Sequence, residues 1–220
     1  KKKVQRTSVS HNNKFVERQF FRKDWNLGGR FFGGWWQRVG EEWRKQMHID
    51  GQPTTEVDYK GLHINLLYGL NRISPPEDPY QIGLMPELGF VNQRKLVKQL
   101  ILFALNSKSE KAAFGAFRRE QPSKSLTKKL SNKQLGEVLQ KFKEKNPVIV
   151  GYIGTDKGVE LMFLDGQITA KIINHFTNKG IPVLSVHDSY IIQVQYATEL
   201  REVMKTAVSD LLNGFDIAVD

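Results

Sequence analysis

The sequence has no cysteine, no apolar run long enough to cross a membrane, and no apolar segment in its basic N-terminus, KKKVQRTSVSHNNK. The first absence excludes disulfides and thiolate metal sites, and the second predicts that the chain has no membrane partner. The third means that this segment lacks the pattern expected of a signal peptide. Together these absences favour an intracellular protein, located in the cytoplasm or nucleoid. A phage or plasmid origin is compatible with them. The chain begins with Lys rather than Met, which predicts a fragment or a processed product.

The positive charge of the chain is concentrated in one stretch. The 220 residues carry 33 basic against 23 acidic side chains, a net charge of +10. Between Arg94 and Lys145, here called the basic segment, there are 14 basic and 4 acidic residues, so this segment alone accounts for the excess. Such a local field predicts a polyanionic partner, most often nucleic acid, because neutralised phosphates release condensed counterions. The alternative is a solvated basic surface.

Two aspartates occupy the same kind of position, the end of an apolar strand. The segment PVLSVHDSYIIQVQ (182–195) reads as two strands with His187, Asp188 and Ser189 between them, and TTEVDY reads as a buried strand that ends at Asp58. If the two strands are neighbours, the carboxylates converge and can hold two Mg²⁺ ions, or Mn²⁺ in their place, for phosphoryl transfer. The alternative is that Asp188 and Ser189 only satisfy a turn.

The remaining periodicity predicts an α+β protein with a small, mainly antiparallel sheet flanked by helices and a basic helical insertion. The predicted helices are GLHINLLYGLNR, NQRKLVKQLILFALNS with Asn92 as its cap, SNKQLGEVLQKFKEKN, residues 158–178 ended by Gly180, and ATELREVMKTAVSDLLNG; FDIAV is a predicted fourth strand. The predicted divisions are an N-terminal extension (1–27), a sheet-bearing part (28–78 and 147–220) and the insertion (79–146).

Three segments resemble motifs of family A DNA polymerases and the related single-subunit phage-type and mitochondrial RNA polymerases. VDYKGLHINLLYGL is similar to motif A, NQRKLVKQLILFALNS to motif B, and VLSVHDSYIIQVQYATELREVMKTAVSDLL to motif C. The resemblance covers residues 28–220 and implies a palm (28–78 and 147–220) with reduced fingers (79–146). It leaves no residues for a full thumb or a proofreading domain, so a partner protein or a further segment would supply a thumb.

The resemblance also implies roles for individual residues. Asp58, Asp188 and the carbonyl of Tyr59 would bind Mg²⁺, and Lys98 and Arg94 would neutralise a triphosphate, with Asp58, Asp188 and Lys98 catalytic. The implied nucleotide-binding residues are Tyr59, His63, Arg94, Lys98 and Asn106. Those implied to contact nucleic acid are Arg30 in GGRFFGG, Gln167 in the helix before motif C, and His187 near a primer 3′ end.

At three positions the sequence departs from the family pattern. Ser189 stands where the DNA polymerases have Glu, as in the RNA polymerases, and Asn106 begins the pair that stands where Tyr-Gly is expected. His63 stands where the DNA polymerases have Glu and the RNA polymerases a small residue. Ribose and deoxyribose, DNA and RNA templates, and primed and unprimed synthesis are therefore all compatible with the sequence.

Weaker signals have plain structural alternatives. Arg94 and Lys98 lie four residues apart, on one helix face, which is also typical of a solvated surface. Gln167 can be an ordinary polar residue of a helix. The aromatic residues around the Gly pairs are predicted to be core rather than stacking platforms; they are Phe31, Phe32, Trp35 and Trp36.

The function predicted from these features is a template-directed nucleotidyltransferase of replication or transcription. Its partners would be nucleoside triphosphates and a nucleic acid template or primer. Two alternatives remain open: a metal-dependent nuclease, and a non-catalytic nucleic-acid-binding module with a decayed palm. A nuclease would need no Arg94/Lys98 pair, and a decayed palm would bind duplex without Mg²⁺-dependent chemistry.

Overall fold

The computed structural model describes residues 8–10, 12–89 and 92–220. The other residues of the predicted N-terminal extension (1–7 and 11) and of the predicted insertion (90–91) lie outside the described residues. The chain forms two compact units. We call Lys1–Leu62 with Met162–Asp220 the sheet unit, and His63–Leu161 the helical unit. Both boundaries predicted for the insertion, after residue 78 and before residue 147, lie within the helical unit.

The described secondary structure follows the periodicity of the sequence closely. The strands are β1 (Glu17–Phe20), β2 (Gly28–Phe32), β3 (His48–Ile49), β4 (Gln52–Asp58), β5 (Leu184–Val186) and β6 (Ser189–Gln193). The helices are α1 (Glu41–Arg44), α2 (Leu62–Leu70), α3 (Gln93–Leu105), α4 (Glu110–Glu120), α5 (Asn132–Lys145), α6 (Gly158–Thr177) and α7 (Ala197–Leu211). Five short 3₁₀ helices lie between them.

The sheet unit is built on a four-stranded antiparallel sheet with strand order β3-β4-β6-β5. Strand β4 pairs with β6 from Thr54 opposite Gln193 to Asp58 opposite Ser189. A separate two-stranded sheet is formed by β1 and β2, so β1 lies within the segment expected as an N-terminal extension. The α+β class and the small antiparallel sheet are confirmed.

The predicted fourth strand, FDIAV, is wrong. This segment makes only an isolated bridge between Tyr59 and Val219, through Lys60 N to Ala218 O and Asp220 N to Asp58 O. The bridge lies beyond the end of β4, where the chain turns into α2. Because the partner backbone leaves the extended conformation there, no ladder can continue past one residue pair.

The helical unit contains two of the predicted helices, α3 and α5, and both are capped at the N-terminus. The Asn92 side chain accepts a hydrogen bond from Lys95 N, and Ser131 forms a capping box with Gln134. Helix α3 buries one face, formed by Leu96, Val97, Leu100, Ile101, Ala104 and Leu105. These buried apolar residues recur at helical spacing and face the core. The basic residues Arg94, Lys95 and Lys98 therefore lie on the rest of the helix surface, where they are exposed.

Strand β2 crosses α6 at two glycines. A Cβ atom on Gly166 would overlap the carbonyl oxygen of Gly29 and lie 2.7 Å from its carbonyl carbon. The Gly29 carbonyl also accepts a hydrogen bond of 2.8 Å from Arg18 Nε. Backbone therefore packs on backbone here, and this close approach places the next residue of β2, Arg30, against α6.

The Gly166→Ala variant should be less stable than the wild type by about 1–3 kcal/mol, since β2 must move away from α6. Gly136→Ala is the matched control, because Gly136 lies within α5 and a Cβ there would meet nothing within 4 Å. That variant should be more stable by up to about 1 kcal/mol through helix propensity. The free energies of unfolding in urea measure both changes. A Gly166→Ala protein of wild-type stability would contradict the backbone contact.

Candidate active site

A cavity of about 660 Å³ lies at the end of the sheet where β4 and the β5–β6 hairpin meet. Asp58 and Asp188 both line it. Asp58 ends β4 opposite Ser189, and Tyr59 N donates to the carbonyl of Asp188 at 3.2 Å. Antiparallel pairing of β4 with β6 thus brings two carboxylates, 130 residues apart in sequence, to one end of the sheet.

The tip of the hairpin is a two-residue turn made by His187 and Asp188, since Val186 pairs directly with Ser189. Two-residue turns usually need Gly or Asn, and the sequence offers neither. His187 instead adopts a left-handed conformation with φ of 58°. Histidine tolerates this region better than most residues, but the conformation is sparsely populated, and such backbone concentrates at functional sites.

The imidazole of His187 stands between the cavity and an aromatic neighbour. Its ring packs edge-on against Phe32, with the centroids 5.9 Å apart. Loss of water around the ring lowers the pKa of His187, and the positive charge of Arg30 lowers it further, against the opposing effect of Asp188. The loss of water and the charge of Arg30 both favour the uncharged form of the imidazole.

The side chain of Tyr59 is buried, and Tyr59 is not among the residues that line the cavity. Its side chain is 1% exposed, its hydroxyl donates to the Met204 carbonyl at 2.6 Å, and its ring packs edge-on against Tyr190. Burial raises the pKa of both tyrosine hydroxyls. The neighbouring bridge uses the carbonyls of Asp58 and Ala218. The Tyr59 carbonyl is the group that the resemblance implies as a metal ligand. It takes part neither in the hydrogen bond to Met204 nor in the two hydrogen bonds of the bridge.

Arg30 is directed at the interior of the sheet unit. Its Nε forms an ion pair with Asp165, which is fully buried on α6, and 16% of the Arg30 side chain is exposed. Gln167 lies two residues further along the same helix and is partly buried. Asp165 was missed in the sequence, although an acid inside the apolar stretch LMFLDGQI indicates a buried partner, because unpaired buried charges are costly.

A second ion pair lines the cavity and was also missed. Arg44 donates to both carboxylate oxygens of Glu56, at 2.9 and 3.0 Å, and Ser189 Oγ donates to the same carboxylate at 2.6 Å. Alternation along β4 was the available signal. Residues two apart on a strand share a face, so Glu56 had to lie on the same face as Asp58.

Of the four aromatic residues near the Gly pairs, Trp36 is buried in the core, while Phe31, Phe32 and Trp35 are half-buried. Trp36 is 5% exposed and packs with Val186 and Ile191, and Trp35 packs against this cluster. Trp36 Nε1 donates to the Ser185 carbonyl at 2.9 Å. This packing fixes the base of the β5–β6 hairpin, whose tip carries Asp188.

In the helical unit, the predicted nucleotide-binding residues lie on two helices. Arg94 Nε donates to Asp78 at 2.5 Å, and the guanidinium lies over the Tyr80 ring. Lys98 is exposed, one turn further along α3. Asn106 caps the C-terminus of α3, with Nδ2 donating to the Leu102 carbonyl at 2.7 Å. His63 lies partly buried in the first turn of α2.

The donor atoms of the cavity fit a hard divalent cation. Within the described ranges, no group of three or more His, Cys, Asp or Glu residues is arranged to hold a metal ion. Mg²⁺ nevertheless needs only one or two protein carboxylates when substrate phosphates complete its shell, and Asp58 and Asp188 supply that number of hard oxygen ligands. The residues present therefore fit Mg²⁺ bound together with a phosphate-bearing substrate.

Comparison with known proteins supports the fold assignment. No family model and no curated protein matches the sequence. The structure is similar to that of the POL domain of Pol1 from M. smegmatis in complex with DNA primer-template and dNTP, with a TM-score of 0.52 and 10% identity. The similarity covers 90% of this chain and 45% of that one, so the chain spans less than half of the similar structure. The α+β fold therefore resembles a polymerase domain.

Of the described helices, none combines the length and the apolar character needed to cross a membrane.

Proposed function

We propose that the protein is a template-directed nucleotidyltransferase, a DNA or RNA polymerase. One observation carries the proposal: Asp58 and Asp188 line one cavity at the end of an antiparallel sheet, in a fold similar to a polymerase domain. The DNA primer-template and dNTP named for that similar structure support nucleic acid and nucleoside triphosphates as the partners of this chain. A partner protein or a further segment would supply a thumb.

The residues of the sheet unit would act as follows. Asp58, Asp188 and the Tyr59 carbonyl hold the divalent ions. When bound, two Mg²⁺ ions stabilise the attacking and leaving oxygens of an in-line displacement. His187, held edge-on against Phe32, would lie near the primer 3′ end and orient it.

The residues of α3 would bind the triphosphate. Lys98 and Arg94 neutralise the charge that grows on the leaving pyrophosphate. Although Arg94 pairs with Asp78, that hydrogen bond uses Nε, and a guanidinium has five N–H donors in total. His63 and Asn106 would contact the nucleotide, and Gln167 would contact the template and primer strands. Arg30, whose Nε pairs with Asp165, would contact nucleic acid through the 16% of its side chain that is exposed.

The direct test is extension of a labelled primer-template, and of template alone, with ribonucleotides or deoxyribonucleotides in Mg²⁺ and in Mn²⁺. Template-dependent incorporation is the expected result, and the nucleotide set that is used identifies the sugar. Metal-dependent release of nucleotides without added triphosphates would instead indicate a nuclease. Duplex binding without any metal-dependent chemistry would indicate a decayed palm.

Binding to primer-template should weaken steeply with salt, because the basic segment is proposed to track phosphates. We expect the slope of log Kobs against log salt concentration to be about −3 or steeper, which corresponds to three or more neutralised phosphates. Fluorescence anisotropy of labelled duplex at several salt concentrations measures the slope. A slope near zero would remove nucleic acid from the proposal.

A pair of matched variants tests which surface binds the duplex. Lys124 and Lys129 are exposed within the basic segment, and replacing both with Gln should reduce the slope by about 0.9 for each phosphate that is no longer neutralised. Lys171 and Lys205 are exposed on helices of the sheet unit and provide the control. Replacing this second pair with Gln removes the same charge and should leave the slope nearly unchanged.

A further inference from the structure

The Arg44–Glu56 ion pair lies in the cavity that contains Asp58 and Asp188. Glu56 and Asp58 are two residues apart on β4 and therefore share a face of the sheet. Glu56, Arg44, Asp58 and Asp188 all line the cavity. A change in the charge of Glu56 or Arg44 would therefore change the electrostatic energy of a cation bound between the two aspartates.

Both carboxylate oxygens of Glu56 are engaged in hydrogen bonds. They accept from Arg44 in a bidentate arrangement, and Ser189 Oγ adds a third bond across the strand pair. Arg44 is itself anchored by a hydrogen bond of 2.9 Å from Nη1 to the Val39 carbonyl. The side chains of Arg44 and Glu56 are only 16% and 22% exposed, so water screens this pair less than a surface pair.

The two charges of the pair cancel within the cavity. Four carboxylates and two cations line it. Arg44 pairs with Glu56, and Lys45 pairs with Glu41 and also, at 3.5 Å, with Glu42, which does not line the cavity. The formal charges of the carboxylates and cations that line the cavity sum to that of two carboxylates. If Glu56 lost its charge, Arg44 would become an uncompensated cation beside Asp58 and Asp188. If Arg44 lost its charge, the negative charge of Glu56 would no longer be cancelled and would add to the charge of the cavity.

We propose that Arg44 and Glu56 are positioning residues that set the charge of the cavity, and so its affinity for divalent cations. Glu56 is an acid on β4 that accepts a hydrogen bond from Ser189, the residue that follows Asp188 in the hairpin. Arg44 holds this acid away from the cation. This inference deepens the proposed function, since it concerns the same site, but it is tested by binding and not by activity.

The test is the affinity for Mn²⁺, measured by electron paramagnetic resonance of the free ion at about 0.15 M salt, with thermal melting as a check of folding. Glu56→Gln should weaken Mn²⁺ binding by roughly ten-fold, because the positive charge of Arg44 is then uncompensated beside the bound cation. Arg44→Gln should strengthen it by a similar factor. The Arg44→Gln/Glu56→Gln double variant should return to within about two-fold of the wild type, because both charges are gone.

Three controls separate charge from packing. Glu41→Gln and Lys45→Gln break a pair whose side chains are more than half exposed, so screening should keep the shift within about two-fold. Ser189→Ala removes a hydrogen bond to Glu56 without changing charge, and should also shift Mn²⁺ affinity by less than about two-fold. General loosening of the hairpin would instead weaken binding in Glu56→Gln, Arg44→Gln and Ser189→Ala alike.

The possible results distinguish this inference from the proposed function. Opposite shifts for Glu56→Gln and Arg44→Gln support it, even if the protein incorporates no nucleotide. Shifts in the same direction, or no shift in either variant, overturn it, even if the protein is an active polymerase. No Mn²⁺ binding by the wild type would also overturn it, because the cavity would then have no cation for the pair to regulate.

Discussion

Asp58→Asn and Asp188→Asn should each lower nucleotide incorporation by at least about three orders of magnitude. Each change removes one negative charge from a site where metal ions are proposed to stabilise transition-state charge by several kcal/mol. Each also keeps the size of the side chain, and the β4–β6 ladder is made by backbone groups. Folding and duplex binding should therefore be nearly unchanged. Steady-state incorporation, circular dichroism and duplex anisotropy measure the three quantities.

Asp210→Asn is the matched control for this experiment. Asp210 lies in the same unit, on α7, where it forms an exposed ion pair with Lys171 at 3.1 Å. Its replacement makes the same chemical change at a site without a proposed metal and should leave incorporation within about two-fold of the wild type. Near-normal activity of either Asp58→Asn or Asp188→Asn would end the two-metal proposal.

Lys98→Ala should lower kcat/KM for the nucleotide by roughly two or more orders of magnitude, the cost of losing one charge-stabilising donor. The leaving pyrophosphate gains charge in the transition state, so kcat should fall and the apparent KM should rise together. Affinity for the template should change little. Because Lys98 is exposed on α3, truncation leaves no cavity and stability should be preserved.

Lys95→Ala is the control for Lys98→Ala. Lys95 is exposed on the same helix, but it lies about 100° around the axis from Arg94, whereas Lys98 lies about 40° from Arg94. The two lysines therefore differ in direction and not in burial or charge. Lys95→Ala should cost little in kcat/KM. Equal losses for both variants would make α3 only a basic helix and would favour a nucleic-acid-binding module.

Local sequence signals predicted most of the secondary structure, because helices and turns are specified by residues close in sequence. Asn92 caps α3 as predicted, and Gly180 lies just beyond α6 with a φ of 69°. The resemblance to polymerase motifs rests on such contiguous segments. It pointed to Asp58, which ends β4, and to Asp188, which lies in the turn between β5 and β6.

Ion pairs between distant residues were not predictable in the same way. Arg30 and Asp165 are 135 residues apart, and Arg44 lies on a short helix that was not predicted. No periodicity in the sequence identifies the ion-pair partner of a charged residue. The partner is the residue of opposite charge that the fold places close to it. The failure of the predicted strand FDIAV has a similar cause. Val219 bridges to Tyr59, which lies just beyond the end of β4, so the pairing depends on the fold and not on the sequence of FDIAV.

The sequence by itself determined the fold class, α+β. It also determined that Asn92 caps a helix, that an acid follows each of two apolar runs, and that a basic stretch of 52 residues extends from Arg94 to Lys145. Only the tertiary structure decided that β4 lies beside β6, so that Asp58 and Asp188 line one cavity. It also decided that Glu56 and Arg44 cancel each other's charge there. The physical reason is that strand pairing and charge compensation depend on distances in space, which chain periodicity does not encode.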